Sequence, residues 1–158
     1  MRSAGILLYR IQNKTPEFFL VHPGGPFWKN KDEGAWSIPK GEFEESEDPL
    51  TAAQREFEEE TGTRVHGKFI ELKPVRQKSG KWVHAWALQG DIDPSALRSI
   101  TFPLEWPPKS KKFIQVPEVD KGGWFDYVTA TKKLIPGQKA ILDELYTLTK
   151  QLIKSSNV

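Results

Sequence analysis

The chain has 158 residues, which is enough for one domain with its own hydrophobic core and short for two. It contains no cysteine, so disulfides and thiolate metal sites are excluded. Its formal net charge of +2 conceals an uneven distribution, because residues 42–60 hold nine of the 21 acidic side chains and one of the 23 basic ones. No apolar run has the length of a membrane span and no signal-peptide pattern follows the N-terminus, so we expect a cytoplasmic protein without membrane contact.

Apolar periodicity predicts seven strands and two helices. The strands are expected at 3–11, 17–22, 36–38, 68–76, 81–89, 113–116 and 123–127, and the helices at 49–61 and 138–153. We expect a turn at Thr15-Pro16, a loop over 27–34, and irregular chain over 93–112, where four prolines lie. The C-terminal helix has one apolar stripe, formed by Ile141, Leu145, Leu148 and Leu152. This order of elements predicts a single α+β domain over residues 1–158.

The helix at 49–61 has clear boundary signals. Asp48 or Ser46 can cap its N-terminus, Pro49 suits its first turn, and Gly62 suits its end. One side is apolar and is expected to be buried, through Leu50, Ala53 and Phe57.

A second side of the same helix concentrates negative charge. Glu56, Glu59 and Glu60 lie at positions i, i+3 and i+4, within about 100° of one another around the helix axis. Such carboxylates repel, and Arg55 alone cannot neutralise three of them. Magnesium accepts carboxylates, waters and phosphate oxygens together, so the pattern indicates a metal site that handles a phosphoanhydride.

Residues 41–63 resemble the sequence signature of the Nudix hydrolase superfamily, the Nudix box. All seven of its glycine and charged positions match: Gly41, Glu47, Arg55, Glu56, Glu59, Glu60 and Gly62. At roughly 7 % usage per residue, seven such matches arise by chance on the order of once in 10⁸ start points. Thr63 departs from the pattern, which has an aliphatic residue there. The resemblance implies a Nudix-type α/β/α sandwich with a mixed sheet.

The resemblance also implies roles for the residues of the box. Glu56, Glu59 and Glu60 would ligate Mg²⁺, with Mn²⁺ as a substitute, and the Lys40 carbonyl would be a further ligand. Glu56 or Glu59 would be the general base, and Arg55 would hold the acidic side chains in place. The chain is thus expected to be a pyrophosphohydrolase that acts on acid anhydrides.

The resemblance implies further roles for residues inside the box and beyond it. Glu47 would support the helix start or contact a metal ligand from outside, and Gly41 and Gly62 would serve backbone shape. Many family members take another ligand or base from a late loop, for which Glu105 and Glu118 are both candidates.

The substrate class stays open between several nucleotides. Pro39-Lys40-Gly41 resembles the lead-in of Nudix hydrolases of diadenosine polyphosphates and diphosphoinositol phosphates. The segments 21–28 and 105–108 resemble a bacterial subgroup described as predicted NTP pyrophosphohydrolases. We therefore favour a dinucleoside polyphosphate or a nucleoside triphosphate, cleaved in a nucleoside-diphosphate-linked substrate.

Substrate contacts are expected from a few residues outside the helix: Trp28, Lys40, Glu105 and Lys112. Trp28 and its neighbour Phe27 lie in a glycine-proline loop, where stacking on a base and simple packing are equally expected. Three strand residues, Trp82, His84 and Trp86, share one sheet face and are expected to pack. The histidines show no metal spacing, so we expect structural or surface roles for them.

Other functions use the same fold. A non-catalytic nucleotide-binding module usually lacks box carboxylates, which are intact here, and isoprenoid diphosphate isomerases have a catalytic cysteine, which is absent. The expected partner is a small nucleotide; no nucleic-acid readout motif is present, although hydrolysis at an RNA 5′ end would use the same box. A monomer and a homodimer are both compatible with the sequence.

Overall fold

The computed structural model describes residues 2–156 and is built on a seven-stranded mixed sheet. Five strands follow the order β4-β6-β1-β2-β9, β3 pairs with β1, and β5 pairs with β6. The strands β1 and β6 are parallel and the other pairs are antiparallel. The bounds of the strands are β1 Arg2–Gln12, β2 Thr15–Pro23, β3 Lys40–Phe43, β4 Ile70–Glu71, β5 Val75–Arg76, β6 Trp82–Gln89 and β9 Val119–Phe125.

Three α-helices and a separate hairpin complete the structure. The helices are α1 Pro49–Thr61, α2 Tyr127–Lys133 and α3 Lys139–Ser156, with 3₁₀ turns at Pro94–Ala96 and Pro136–Gln138. The strands β7 Thr101–Glu105 and β8 Phe113–Pro117 form a two-stranded sheet of their own. No helix within residues 2–156 is long and apolar enough to cross a membrane.

The alternation of side chains along β1 creates two cores. Ala4, Ile6 and Leu8 are buried in the cluster that contains Phe57 of α1. Leu7 and Tyr9, which point to the other face, belong to a second cluster that includes residues of α3. The sheet is therefore covered by helices on both faces, and the expected α/β/α arrangement is confirmed.

The turn between β1 and β2 differs from the expectation. Asn13 and Lys14 form it, with φ angles of 51° and 63°, and Thr15 already pairs with Gln12. Asparagine is among the residues that most readily adopt this left-handed conformation. Pro16 is tolerated within β2 because the ladder between β2 and β9 begins only at Phe18.

Two other sequence expectations are also wrong. The single strand at 68–76 is divided into β4 and β5, because Lys73 donates its N–H to the Glu144 carboxylate at 2.8 Å and Pro74 has no N–H. The stretch 93–112 is not wholly irregular, since β7 pairs with β8 and Pro103 is accommodated in a two-stranded sheet whose strands each have a free edge.

The predicted helices are confirmed, and a third was missed. The missed helix α2 has seven residues and one fully buried side chain, Ala130, so its apolar periodicity is weak. Its N-cap, Asp126, accepts a hydrogen bond from the Thr129 N–H at 2.9 Å. The strand expected to reach Tyr127 ends at Phe125 for this reason.

Candidate active site

The position of α1 on the sheet is fixed by its caps and its apolar side. Asp48, the first of the two capping candidates, accepts from the Thr51 N–H at 3.0 Å, and Gly62 ends the helix with φ of 78°. Ala53 and Phe57 are fully buried against the sheet, and Leu50 packs partly against the same core. The predicted apolar side of the helix is thus confirmed.

The structure brings Glu118 to two carboxylates of α1. Glu56 and Glu60, one turn apart, are each 7 % exposed. Glu118 directly precedes β9, and the three residues offer carboxylate oxygens that all lie within 4.8 Å of one another. We call Glu56, Glu60 and Glu118 the carboxylate cluster. Of the two late-loop candidates, Glu118 is therefore the one that meets the helix.

Gly41 provides the space for this cluster. A Cβ atom at position 41 would overlap the Glu56 carboxylate. Gly5 has a related role, since a Cβ there would be 2.6 Å from the Cβ of Lys40, which faces it across the β1–β3 ladder. The glycine that begins the Nudix box is thus explained by close approach, and the one that follows the helix, Gly62, by its positive φ.

The cluster strongly disfavours three simultaneous negative charges. Burial, and then the charges of Glu118 and Glu56, raise the pKa of Glu60 to about 9. Burial and the charge of Glu59 also raise the pKa values of Glu56 and Glu118. Lys40 opposes the rise at Glu60 only in part, and its own pKa is lowered by burial.

Arg55 orients the acidic residues beside the cluster. Its guanidinium donates two hydrogen bonds of 2.9 Å to the two oxygens of Glu47. The same group donates to Glu56 at 2.9 Å and to Glu59 at 3.3 Å. The hydrogen bonds to Glu47 and Glu56 raise the pKa of Arg55, so its charge is permanent. Glu59 lies beside the cluster with a third of its side chain exposed, and its carboxylate is turned to Arg55.

A pocket of about 210 Å³ opens directly onto the cluster. Lys40, Glu60 and Glu118 supply charged groups to its wall, and Trp28 supplies an aromatic one. The rest of the wall is mainly apolar and comes from four parts of the chain: Val21, Pro23, Ala35, Ile38, Val119 and Ile135, together with Ser37. Most of these wall residues were not expected from the sequence, because nothing in their local pattern distinguishes them from core residues.

Two residues expected to contact the substrate lie on the β7–β8 hairpin and do not line this pocket. The Glu105 carboxylate accepts from the Lys109 and Lys111 N–H groups at 3.0 and 3.2 Å, and so closes the hairpin loop. Lys112 is exposed, and its carbonyl accepts from the Trp106 N–H at 2.9 Å. Phe27 is 59 % exposed and meets Trp28 edge to face at 5.1 Å between ring centroids.

The carboxylate cluster fits a divalent cation. Oxygens on opposite sides of a Mg²⁺ ion lie about 4.2 Å apart, since each Mg–O distance is 2.0–2.1 Å. Neighbouring oxygens around the ion lie about 2.9 Å apart, so the carboxylate oxygens, which lie within 4.8 Å of one another, need side-chain adjustment but no backbone rearrangement to share an ion. A cation would also favour the ionised forms that burial and mutual repulsion disfavour.

Comparison with solved structures shows the same fold at low sequence identity. A C. elegans Ap4A hydrolase binary complex has a TM-score of 0.64 and 20 % identity, covering 92 % of this chain and 96 % of that one. A mutT/nudix family protein from Listeria innocua has a TM-score of 0.62 and 18 % identity, covering 95 % and 94 %. The NUDIX domain of Shewanella oneidensis NrtR, solved with ADP ribose, has a TM-score of 0.60 and 17 % identity, covering 91 % and 84 %.

Sequence comparison identifies the family. A curated protein from Myxococcus xanthus named octanoyltransferase is 33 % identical over 101 residues, which are 64 % of this chain and 25 % of that protein. The chain thus spans about a quarter of the length of that curated relative. The family model described as NUDIX domain matches residues 1–145, which include the box, the cluster and the pocket. The chain therefore belongs to the Nudix family, whose enzymes hydrolyse pyrophosphate bonds.

Proposed function

We propose that the protein is a Mg²⁺-dependent hydrolase that cleaves a phosphoanhydride bond in a nucleoside-diphosphate-linked substrate. The observation that carries this proposal is the carboxylate cluster at the wall of a pocket that also contains Lys40 and Trp28. Anionic ligands for a cation, a lysine for phosphate oxygens and an apolar wall for a base or sugar are thus adjacent. Each part of a nucleotide has a chemically matched surface.

The carboxylate cluster would bind the polyphosphate through a cation, and the Lys40 side chain would bind it directly. Glu56, Glu60 and Glu118, with the Lys40 carbonyl, would hold Mg²⁺, or Mn²⁺ in its place. A bound divalent cation would neutralise phosphate charge and orient the anhydride for in-line attack. The Lys40 side chain, which faces Glu60 and Glu42, would contact a phosphate oxygen from the pocket wall.

Glu59 is the box carboxylate best placed to accept a proton. Among the three helix glutamates that the box fixes, Glu56, Glu59 and Glu60, it is the most exposed, since a third of its side chain is accessible, whereas Glu56 and Glu60 are buried in the cluster. Water attacks phosphorus, the bond to the bridging oxygen breaks, and Glu59 takes the proton that the water loses. Arg55 would keep this carboxylate in position throughout.

The favoured substrates are dinucleoside polyphosphates and nucleoside triphosphates. The Ap4A hydrolase structure supports the first class, and the ADP-ribose complex of the NrtR NUDIX domain makes ADP-ribose a necessary member of any test. Because the sequence identities are low, these relatives guide which compounds are tested and do not identify the substrate.

The test is a product-resolved hydrolysis panel with Mg²⁺. It contains diadenosine polyphosphates, nucleoside triphosphates, ADP-ribose, NADH and 5′-triphosphorylated RNA, and it compares the wild type with Glu59→Gln and with Glu58→Gln. Glu58 lies on the same helix but pairs with exposed Arg64, so its substitution should leave turnover unchanged. We expect one class to be hydrolysed by the wild type and by Glu58→Gln, and not by Glu59→Gln.

Two results would contradict the proposal. Near-normal turnover by folded Glu59→Gln would remove Glu59 from the mechanism. Binding of a nucleotide by folded wild-type protein without hydrolysis of any compound would instead support a non-catalytic nucleotide-binding module.

A further inference from the structure

His22 is a fully buried polar side chain on β2, close to the pocket but outside its wall. Its Nδ1 atom is 2.9 Å from the Asp120 carboxylate, and its Nε2 atom is 2.6 Å from the Lys31 carbonyl oxygen. Both partners are hydrogen-bond acceptors, and the two ring nitrogens of the one imidazole face them. The ring also meets the Trp36 indole edge to face at 5.3 Å. One buried side chain thus joins two segments that are distant in sequence.

The first segment carries Glu118 of the carboxylate cluster. In the ladder between β2 and β9, His22 pairs with Lys121 and Pro23 pairs with Val119, so Asp120 is the extra residue of a bulge. A bulge redirects side chains and often lies beside an active site. Here it places the Asp120 carboxylate against the His22 ring, two residues from Glu118.

Backbone contacts extend this connection to Glu118 itself. Gly24, two residues after His22, donates its N–H to the Glu118 carbonyl at 3.0 Å. The side chain of His22 and the backbone of Gly24 therefore hold the chain at Asp120 and at Glu118 itself. A shift of this short stretch of β2 would move a member of the cluster.

The second segment is the loop that carries Trp28. His22 holds the Lys31 carbonyl, and the Lys31 N–H donates to the Trp28 carbonyl at 2.9 Å. Trp28 lines the pocket, and the Lys31 ammonium lies 5.3 Å from the centre of its indole. The position of the aromatic wall is thus connected to the same imidazole that holds the strand of Glu118.

We infer that His22 is a positioning residue that sets the Trp28 wall of the pocket and the Glu118 carboxylate relative to each other. This inference rests on the proposed function, because it treats the cluster as a metal site. The inference goes beyond the proposed function, because it assigns to a residue outside the pocket an effect on both cation affinity and pocket shape. Partners that hold metal-site residues in place typically contribute about 10–100-fold to metal affinity or activity.

The experiment compares His22→Gln and Asp120→Asn with two controls. The amide of glutamine places a nitrogen at only one of the two ring-nitrogen positions, so one of the two acceptors loses its donor. Asparagine removes the negative charge of a side chain that is one third exposed, so Asp120→Asn is expected to fold. The controls are His66→Gln, at an exposed site, and Ile141→Val, which loosens the core under α3 without touching the pocket. Each protein is studied at a temperature at which it is fully folded.

Two measurements separate positioning from general loss of stability. Native-state trypsin digestion, followed by mass spectrometry, reports cleavage after Lys29 and Lys31 in the loop and after exposed Arg64 elsewhere. Titration with Mn²⁺ alone reports cation affinity. For His22→Gln we expect loop cleavage to accelerate about tenfold relative to cleavage after Arg64, and the Kd for Mn²⁺ to rise about 10-fold. Asp120→Asn should change both in the same direction, and the controls neither.

The outcomes decide between this inference and the function on which it rests. The positioning role would be overturned if His22→Gln shows the same loop cleavage and the same Mn²⁺ affinity as Ile141→Val. If His22→Gln does not fold, the same comparison is made with Asp120→Asn. The metal site would then still stand if Glu60→Gln loses Mn²⁺ binding. Wild-type protein that binds no Mn²⁺, or Glu60→Gln that binds it as well as the wild type, would overturn the proposed function and this inference with it.

Discussion

Replacement of Glu60 by glutamine should stabilise the metal-free protein, although it removes a proposed metal ligand. Burial and the charges of Glu118 and Glu56 raise the pKa of Glu60 from 4.5 to about 9. Because the folded chain keeps a proton that the unfolded chain releases, the stability of the metal-free protein falls as the pH rises from about 4.5 to about 9. Glutamine has a similar shape and no charge, so Glu60→Gln removes this loss.

The size of the effect follows from the pH. Each pH unit above 4.5 costs the folded state about 1.4 kcal/mol, which amounts to roughly 4 kcal/mol at pH 7.5. For a chain of this length 1 kcal/mol corresponds to about 2–4 °C in Tm. The metal-free Glu60→Gln variant should therefore melt on the order of 10 °C above the wild type at pH 7.5, and close to the wild type near pH 4.5.

Thermal melts in EDTA from pH 4.5 to 8.5, repeated with Mg²⁺, provide the assay. Mg²⁺ at 100 times its Kd should stabilise the wild type by about 2.7 kcal/mol and Glu60→Gln much less. Glu58→Gln is the matched control, because Glu58 lies on the same helix in an exposed pair with Arg64. Equal Tm values for Glu60→Gln and the wild type at every pH in EDTA would refute the assignment of Glu60 as a buried member of a repulsive cluster.

Three further substitutions examine the helix, the arginine and the pocket wall. Phe57→Ala should reduce the free energy of unfolding by about 3–5 kcal/mol in urea titrations, since the ring is fully buried; an unchanged value would contradict the orientation of α1. Arg55→Lys should reduce kcat about 10–100-fold with a smaller change in Tm, because lysine cannot form the paired hydrogen bonds to Glu47; steady-state kinetics with unaltered kcat would show that this network is dispensable. Trp28→Ala should raise KM about tenfold and leave kcat nearly unchanged if the indole stacks on the base, and a fall in kcat alone would argue against a binding role.

Much of helix α1 could be predicted from the sequence because its signals are local. The cap at Asp48, the apolar side with Phe57 and the spacing of Glu56 and Glu60 all lie within 13 consecutive helical residues and their immediate neighbours. Helix geometry converts such spacing directly into a shared face. Strands β1 and β2 were predictable for a similar reason, since their apolar residues are continuous.

Irregular elements were predicted less well, because their conformation depends on distant partners. The break between β4 and β5 depends on Glu144 of α3, and β7 forms in a proline-containing stretch because β8 returns to pair with it. The short helix α2 carries too few buried residues to produce a periodic pattern. Local propensity describes none of these contacts.

The sequence by itself determined the family, the mixed α+β class and the helix that carries the glutamates. Only the tertiary structure decided that Glu118, rather than Glu105, joins Glu56 and Glu60, and that His22 connects Asp120 to the Lys31 carbonyl. The physical reason is the separation along the chain: Glu118 and Glu60 are 58 residues apart and meet only because β9 pairs with β2 beside α1. Such a meeting depends on how strands are ordered in the sheet, and a single sequence carries no periodic signal for that order.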